Sequence, residues 1–198
     1  MSDKNEREKQ AAATRARLIQ TGLKLFGREG YTAISAQDLV KEAKVTRGAL
    51  YHHFKTGKAG LFEAVAEQVL VDLVTSLTTA LESTTLAWED LRPTLSAYFD
   101  AALSDEHRRI ALQDAPSVLG ANKWRELEYA YSVKFIEVSL EALMDNGVLR
   151  PVPVASLASL LFGAICEATQ SIAVADDPPA AQTEALDVLE LLLSGIRA

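Results

Sequence analysis

The sequence predicts an all-α fold in which a three-helix head is joined by a long helix to a larger helical body. Apolar residues recur at helical spacing along most of the 198-residue chain, and we find no alternating apolar and polar run of the strand type. Breaks between the helical patterns fall at turn-forming pairs such as Arg92-Pro93, Ala115-Pro116 and Asn146-Gly147. We therefore expect three short helices, one long helix and five or six further helices.

Charge is divided unevenly along the chain. Residues 1–60 hold 12 Lys and Arg against 6 Asp and Glu, whereas residues 61–198 hold 8 against 21, for a total net charge of −7. A basic first third in an acidic protein indicates one end built for a polyanion. The alternative is that the basic stretch is only a solvated face.

Three features indicate a soluble, cytoplasmic protein with no membrane partner. Cys166 is the single cysteine, so no internal disulfide can form. The charged N-terminus, MSDKNEREKQ, lacks the apolar stretch of a secretory signal. The longest weakly polar run, residues 152–166, is too short to span a bilayer and is interrupted by Pro153.

The first 81 residues divide into an arm and four helices. Residues 1–12 are polar without apolar periodicity, and we expect a flexible N-terminal arm. Helix one covers residues 13–28 and ends at Gly30. Ser35 begins a short second helix, Thr46 a third, and Thr56 or Gly57 a fourth that runs to about Leu81. We place the head at residues 13–60 and the body at residues 61–198.

The second and third helices form a predicted helix-turn-helix. Leu39, Val45 and Leu50 are placed to hold the two helices together, and Leu50 and Phe54 face inward. In the segment VTRGALYHHF this leaves an outward set of residues whose chemistry suits duplex DNA. Arg can bond a guanine edge, an Ala methyl can meet a thymine methyl, and Gly allows close backbone approach, while Tyr, His and Lys suit phosphate oxygens. The outward set is Thr46, Arg47, Gly48, Ala49, Tyr51, His52 and His53, with Lys55 and Lys58 beyond it.

Residues 14–65, TRARLIQTGLKLFGREGYTAISAQDLVKEAKVTRGALYHHFKTGKAGLFEAV, resemble the DNA-binding domain of the TetR family of bacterial transcription regulators. LKLFGREGY, the Ser-capped helix and GALYHHF carry the resemblance, and the run DAPSVLGANKWRE, residues 114–126, is similar to one branch of the family's bodies. The resemblance implies a homodimer whose head binds a pseudo-palindromic DNA operator and whose body dimerises and binds a ligand. It also implies repression that a small molecule relieves.

Carried onto this chain, the resemblance implies that residues 46–53 form the recognition helix, with Thr46, Arg47, Ala49 and His52 facing bases. It further implies phosphate contacts at Thr32, Ser35, Tyr51 and Lys58. The DNA-binding set that we expect is Thr32, Ser35, Thr46, Arg47, Gly48, Ala49, Tyr51, His52, Lys55 and Lys58.

The chain departs from the family pattern at two places. The turn holds Lys44 where Gly is common, so that position must accept a left-handed backbone or the turn must take another shape. The segment KTGKAG is one residue longer than the commonest form, which leaves the phosphate role of Lys58 less defined than that of Tyr51.

We expect no enzyme, no metal and no cofactor. Neighbouring His52 and His53 point apart on a helix, and no acidic or Cys partner follows at ligand spacing. A catalytic role for Cys166 would need a His base, but two histidines lie on the recognition helix and His107 is expected at the surface. An enzyme hidden in a body pocket would lack a visible catalytic set.

The last two helices, residues 155–175 and 180–196, are apolar on more than one side. Such helices must be covered on two sides, which favours a homodimer with a four-helix interface; the alternative is a central helix pair within a monomer. The body's aromatic residues are core or line a ligand pocket. The pocket residues that we expect are Trp88, Phe99, Gln113, Trp124, Tyr131, Phe135, Phe162, Glu167 and Gln170. A second reading of the whole chain is a helical protein-interaction module with a decayed DNA-binding head.

Overall fold

A computed structural model describes the backbone of residues 2–198 and the side chains of residues 5–198. Eleven α-helices are present in this range, and its only extended pairing is an isolated bridge between Leu149 and Arg197. The all-α prediction is confirmed. The helices are α1 (Ser2–Glu29), α2 (Ala36–Glu42), α3 (Arg47–His53), α4 (Lys58–Leu81), α5 (Leu91–Ala102), α6 (Asp105–His107), α7 (Ala115–Val118), α8 (Ala121–Glu128), α9 (Lys134–Asp145), α10 (Val154–Ala173) and α11 (Pro178–Ser194). A 3₁₀ turn (Trp88–Asp90) precedes α5, and π-helical turns (Arg108–Asp114 and Tyr129–Val133) precede α7 and α9.

Helix α1 begins at Ser2, which differs from the flexible arm expected for residues 1–12. The segment is polar, but its Glu, Arg, Lys, Gln and Ala residues favour a helix. Glu6 and Lys9, three positions apart on one side, lie 3.8 Å from each other. The described part of this segment therefore adds about three turns to the front of α1.

The chain packs into two compact units, each with its own core. The first contains the described residues up to Val69 together with residues 105–124, and the second contains residues 70–104 and 125–198. One boundary between the units lies inside α4. The sequence places a boundary in the same helix, because the charge balance and the helix lengths change there. The sequence did not predict that residues 105–124 belong to the first unit. The division by packing therefore differs from the predicted head, residues 13–60, and the predicted body, residues 61–198.

The core of the first unit is built around three aromatic rings. Phe26 and Phe62 are fully buried, with ring centroids 5.2 Å apart, and the Tyr31 ring lies 4.9 Å from Phe62. Each such buried ring contributes about 1.5–3 kcal/mol through apolar burial. Gly22 allows α1 and α4 to approach closely, since a Cβ there would lie 2.7 Å from Val65 Cγ2.

Residues 105–118 pack against α1 within the first unit. A Cβ on Gly27 would lie 2.8 Å from Glu106 Cγ, so a larger residue at this contact would force Glu106 to shift. The Tyr31 amide donates a 2.7 Å hydrogen bond to Asp114 Oδ2. Ile110, Ala111 and Ala115 are buried in the same contact region. The segment therefore belongs to the core of the first unit.

His107 is buried in this segment, and the expectation of a surface histidine was wrong. Its side chain is only 8% exposed, three and four positions before buried Ile110 and Ala111. The charged neighbours in DEHRR suggested exposure, but the packing of α6 on α1 turns His107 inward. Burial lowers the pKa of His107 to about 4, so the imidazole is neutral at physiological pH.

The second unit contains two apolar clusters. One joins α5, α10 and α11 through Phe99, Ile165, Ile172, Leu186 and Leu189. The other is formed by Val133, Leu140, Leu143, Leu149 and Ala158. Arg92 links α5 to α11, with Nη1 2.7 Å from Asp187 and 3.1 Å from Glu190. The last two helices are thus anchored on their inner sides.

Helices α4 and α10 are long and apolar enough to cross a membrane by length and composition alone. Core helices of soluble proteins satisfy the same criterion, so the property is weak evidence for a membrane role.

Candidate nucleic-acid interface

Hydrogen bonds at their N-termini fix the two helices of the predicted helix-turn-helix. The Asp38 amide donates to Ser35 Oγ at 3.2 Å, and the Ser35 amide donates to Asp38 Oδ2 at 2.9 Å. These two bonds form the reciprocal cap that the sequence indicates. The Ser35 hydroxyl also donates to Asp38 Oδ2 at 2.6 Å, and this bond, followed by the one from the Ser35 amide, lowers the pKa of Asp38. Thr46 caps α3 by accepting a 3.1 Å bond from the Ala49 amide, and Leu50 is fully buried. The predicted helix-turn-helix is present.

The turn accepts Lys44 in a left-handed conformation. Lys44 has a φ of 52°, a region that costs a non-glycine residue about 1–2 kcal/mol. Neighbouring backbone bonds are retained, including a 3.0 Å bond from the Val45 amide to the Val40 carbonyl. Of the two alternatives for this position, the structure therefore has the strained backbone.

Replacement of Lys44 by glycine is expected to stabilise the protein. Relief of about 1–2 kcal/mol of backbone strain offsets the entropic cost of glycine, about 0.5–1 kcal/mol, for a net gain of about 0–1.5 kcal/mol. Urea unfolding would measure it. The control Lys41→Gly lies inside α2 and should instead destabilise by about 0.5–1 kcal/mol. Equal losses in both variants would contradict the strain argument.

The outer surface of α3 presents most of the residues expected to face bases. Thr46, Arg47, Gly48 and His52 are exposed and Ala49 is half-buried. The Arg47 guanidinium carbon lies 5.7 Å from the centre of the Tyr51 ring, which limits the directions that this side chain samples. The His53 pKa is lowered, mainly by burial and then by the charges of His52 and Arg15.

The residues expected to contact phosphates do not all share this surface. Thr32, Ser35, Tyr51 and Lys55 are exposed. A Cβ on Gly57, which has a φ of 63°, would lie 2.9 Å from Tyr51 Cε1, so the longer loop after α3 supports the Tyr51 ring. Lys58 is placed elsewhere: its Nζ lies 3.9 Å from the centre of the Tyr31 ring. Burial lowers the Lys58 pKa against an opposing effect of Asp114.

The second unit contains two neighbouring apolar cavities, of about 100 and about 60 Å³. Two polar side chains in their walls are bonded to backbone: Thr94 Oγ1 donates to the Asp90 carbonyl at 2.7 Å, and Ser139 Oγ donates to the Phe135 carbonyl at 2.9 Å. The interior therefore suits an uncharged, mainly apolar molecule. Both cavities are lined by Thr94, Leu95, Phe135, Ile136 and Ile165.

Comparison with known proteins identifies the family. Residues 18–65 match the family model described as bacterial regulatory proteins of the tetR family, and residues 88–196 match the tetracyclin repressor-like C-terminal domain. The chain belongs to the TetR family. It is thus a transcriptional regulator with a DNA-binding helix-turn-helix, as the resemblance implies.

Individual relatives and solved structures match along most of their length. A TetR-family transcriptional regulator from Pectobacterium atrosepticum is 35% identical in sequence, with a TM-score of 0.80 over 96% of this chain and 97% of that one. The TetC protein of transposon Tn10 from Escherichia coli is 27% identical over 163 residues, 82% of each chain. RolR, solved with resorcinol bound, shares the fold at 19% identity, with a TM-score of 0.72 over 94% of this chain and 90% of RolR.

In this TetR-family protein, few of the nine residues expected in a ligand pocket line the cavities. Phe135 lines both and Phe162 lines the smaller. Phe99 is a fully buried core residue, and Trp88 packs beside the Arg197 guanidinium. Gln113 and Trp124 belong to the first unit. The remaining three, none of which lines either cavity, are Tyr131, Glu167 and Gln170, the last two exposed on α10.

Sequence reasoning missed the polar residues that do line the cavities, namely Asp90, Thr94, Ser139, Tyr98 and Ser132. Their signal was weak, because each lies alone in an otherwise apolar or mixed helical pattern. Cys166, next to this region, has its pKa raised to about 12 by burial and by the charge of Glu128. It is therefore a protonated thiol, which is not nucleophilic.

Proposed function

We propose that this protein is a cytoplasmic repressor that binds a pseudo-palindromic operator as a homodimer and is released by a small, uncharged molecule. The observation that carries the proposal is the surface of α3: Arg47 and His52 protrude from a capped helix whose Leu50 anchors it in the core. A helix presented in this way fits the major groove.

The dimer proposal is supported by exposed apolar side chains on the outer sides of the last two helices. Leu160 on α10 is 74% exposed and Leu191 on α11 is 70% exposed, with Val188 and Leu192 beside Leu191 on α11. Apolar side chains clustered at the surface mark interaction sites. A two-fold pairing of α10 and α11 with the same helices of a second copy covers them as a four-helix interface.

Dimerisation also serves DNA binding. Two recognition helices must enter successive major grooves, about 34–36 Å apart or at a related spacing. A ligand that prefers another separation of the heads lowers operator affinity by its differential binding, about 5- to 150-fold for a coupling of roughly 1–3 kcal/mol.

The ligand proposal rests on the two cavities of the second unit. Two of their polar wall groups, Thr94 and Ser139, are already bonded to backbone, so a bound molecule is expected to gain affinity mainly from apolar contacts. RolR, which shares the fold, is solved with the small aromatic molecule resorcinol. Small neutral aromatic compounds are therefore the first to test. A compound that binds should raise the thermal stability of the protein and lower its affinity for the operator. If compounds bind but none lowers operator affinity, the proposed release by a ligand is contradicted.

The operator is tested by selecting random duplexes with the purified protein at two salt concentrations. The proposal requires one pseudo-palindromic motif and an affinity that falls steeply with salt, with a slope of about −0.9 per phosphate contacted. Absence of any motif would favour a protein partner instead. Lys44 and the acidic body motivate that alternative, but the capping bonds of α2 and α3 are intact around Lys44.

Arg47→Ala should lower affinity for the selected operator by about 1–3 kcal/mol, because a base contact is lost. The loss on random duplexes should be much smaller. Fluorescence anisotropy on both duplexes measures the difference. Lys55→Ala is the matched control. Loss of a phosphate contact should lower affinity for both duplexes alike and make the salt slope shallower by about 0.9. Equal loss on both duplexes for Arg47→Ala would show that Arg47 reads no base.

A further inference from the structure

We propose that the N-terminal half of α1 is a second part of the DNA-binding surface, in which Arg7 and Gln10 contact the phosphate backbone beside the recognition helix. This inference rests on the proposed operator binding. It gives a role to a segment outside residues 14–65, which carry the resemblance to the family's DNA-binding domain.

The first observation is a groove between α1 and α3. One wall belongs to α1 and the other to the recognition helix, whose groove-lining residues include three of the four expected to face bases. A duplex placed against that part of α3 therefore meets the α1 wall as well. The groove is lined by Arg7, Gln10, Ala11 and Thr14 from α1, and by Thr46, Gly48, Ala49, His52 and His53 from α3 and its cap.

The α1 wall is held in place by the core of the first unit. Its residues recur at spacings of three and four, so they form one stripe on the helix surface, and four residues beyond Thr14 the stripe reaches fully buried Leu18. The Arg15 guanidinium carbon lies 5.5 Å from the centre of the Phe54 ring, which fixes α1 beside the end of α3. The wall is thus positioned by packing.

The charged residues in the N-terminal part of α1 are divided between the groove and the rest of the helix surface. Among residues 5–14, the charged residues are Glu6, Arg7, Glu8 and Lys9, and Arg7 alone among them lines the groove. The two glutamates lie outside it, and Lys9 lies 3.8 Å from Glu6. The wall that faces α3 therefore presents a cation and an amide to the groove, which suits a phosphate chain.

A phosphate contact is favoured over a base contact by position. When α3 occupies the major groove, a helix at its flank meets the sugar-phosphate strand that borders the groove. The described residues that precede residue 14 extend α1 by about 18 Å at 1.5 Å per residue. This is long enough to follow several phosphates of one strand.

The test is anisotropy of the selected operator with the full-length protein over a range of salt. Arg7→Ala should weaken binding by about threefold or more and make the salt slope shallower by about 0.9, whereas Arg7→Lys should keep the slope. Lys9→Ala, which removes the same charge outside the groove, should change affinity by less than about twofold and leave the slope unchanged. Circular dichroism shows whether each variant retains its helices.

A second pair of variants introduces charge. Gln10→Glu places a carboxylate in the groove and should weaken binding more than Gln20→Glu, the same change at an exposed position of α1 outside it. Equal effects within either matched pair, or an Arg7→Ala slope identical to wild type, would overturn the proposal. Failure of the wild-type chain to bind any duplex would instead overturn the proposed function, and this inference with it.

Discussion

Leu160→Glu is expected to convert the proposed dimer into a folded monomer. Leu160 is 74% exposed in the single chain, so the change costs little in folding. In a two-fold dimer it removes two buried leucines, each contributing about 1.5–3 kcal/mol, and adds two carboxylates to an apolar interface. The dissociation constant should rise at least about 100-fold, which corresponds to about 2.8 kcal/mol.

Sedimentation equilibrium at micromolar concentration measures this change, and operator binding should weaken with it because one head alone contacts half of the site. Val138→Glu is the control. Val138 is also an exposed apolar residue, but it lies on α9. A Leu160→Glu protein that stays dimeric, or an equal loss of dimer in Val138→Glu, would contradict an interface of α10 and α11.

Acid is expected to destabilise the protein through His107. The native imidazole is held neutral with a pKa of about 4, whereas the unfolded chain has the ordinary value of 6.5. Between these values the unfolded state binds a proton that the native state does not. The contribution is therefore fully favourable above pH 6.5 and is lost as the pH falls to about 4, by about 3 kcal/mol in all.

His107→Gln removes this titration and should flatten the dependence of unfolding free energy on pH between 6.5 and 4, whatever its effect on stability at pH 7. Urea unfolding at pH 7, 5.5 and 4.5 provides the comparison with wild type. Asp38 and Glu42 have lowered pKa values and lose their contributions at more acidic pH, so they leave this window largely unaffected. An unchanged slope in the variant would show that His107 is not held neutral.

The head could be predicted because its signals are local. Ser35 with Asp38, Thr46, and Gly30 mark helix ends through hydrogen bonds and backbone conformations that involve only neighbouring residues. The left-handed Lys44 was foreseeable for the same reason. The early start of α1 was not, because two principles conflict there: polar composition favours disorder and residue propensity favours a helix.

The lining of the two cavities in the second unit was hard to predict for a different reason. Two π-helical turns, Arg108–Asp114 and Tyr129–Val133, each wind more residues per turn than an α-helix. The helical pattern beyond each of them is shifted in phase, so the side that a residue faces cannot be counted from the preceding helix. Gln113 and Tyr131 lie within these turns. Glu167 and Gln170 line neither cavity, because the rotation of α10, not the polarity of its residues, decides which side chains meet the cavity.

The hydrogen bond between the Tyr31 amide and Asp114 bears on whether the DNA-binding part can be separated from the rest of the chain. The first unit is assembled from two separate stretches of chain, and the polypeptide passes between the units at residues 69–70, 104–105 and 124–125. A head cut out at residue 69 would lack Ile110, Ala111 and Ala115, which are buried in the segment that packs on α1. A head that ends at residue 69 is therefore expected to lack part of its core. A chimera joined within α4 should carry residues 105–124 of this same chain so that the core of the first unit is complete.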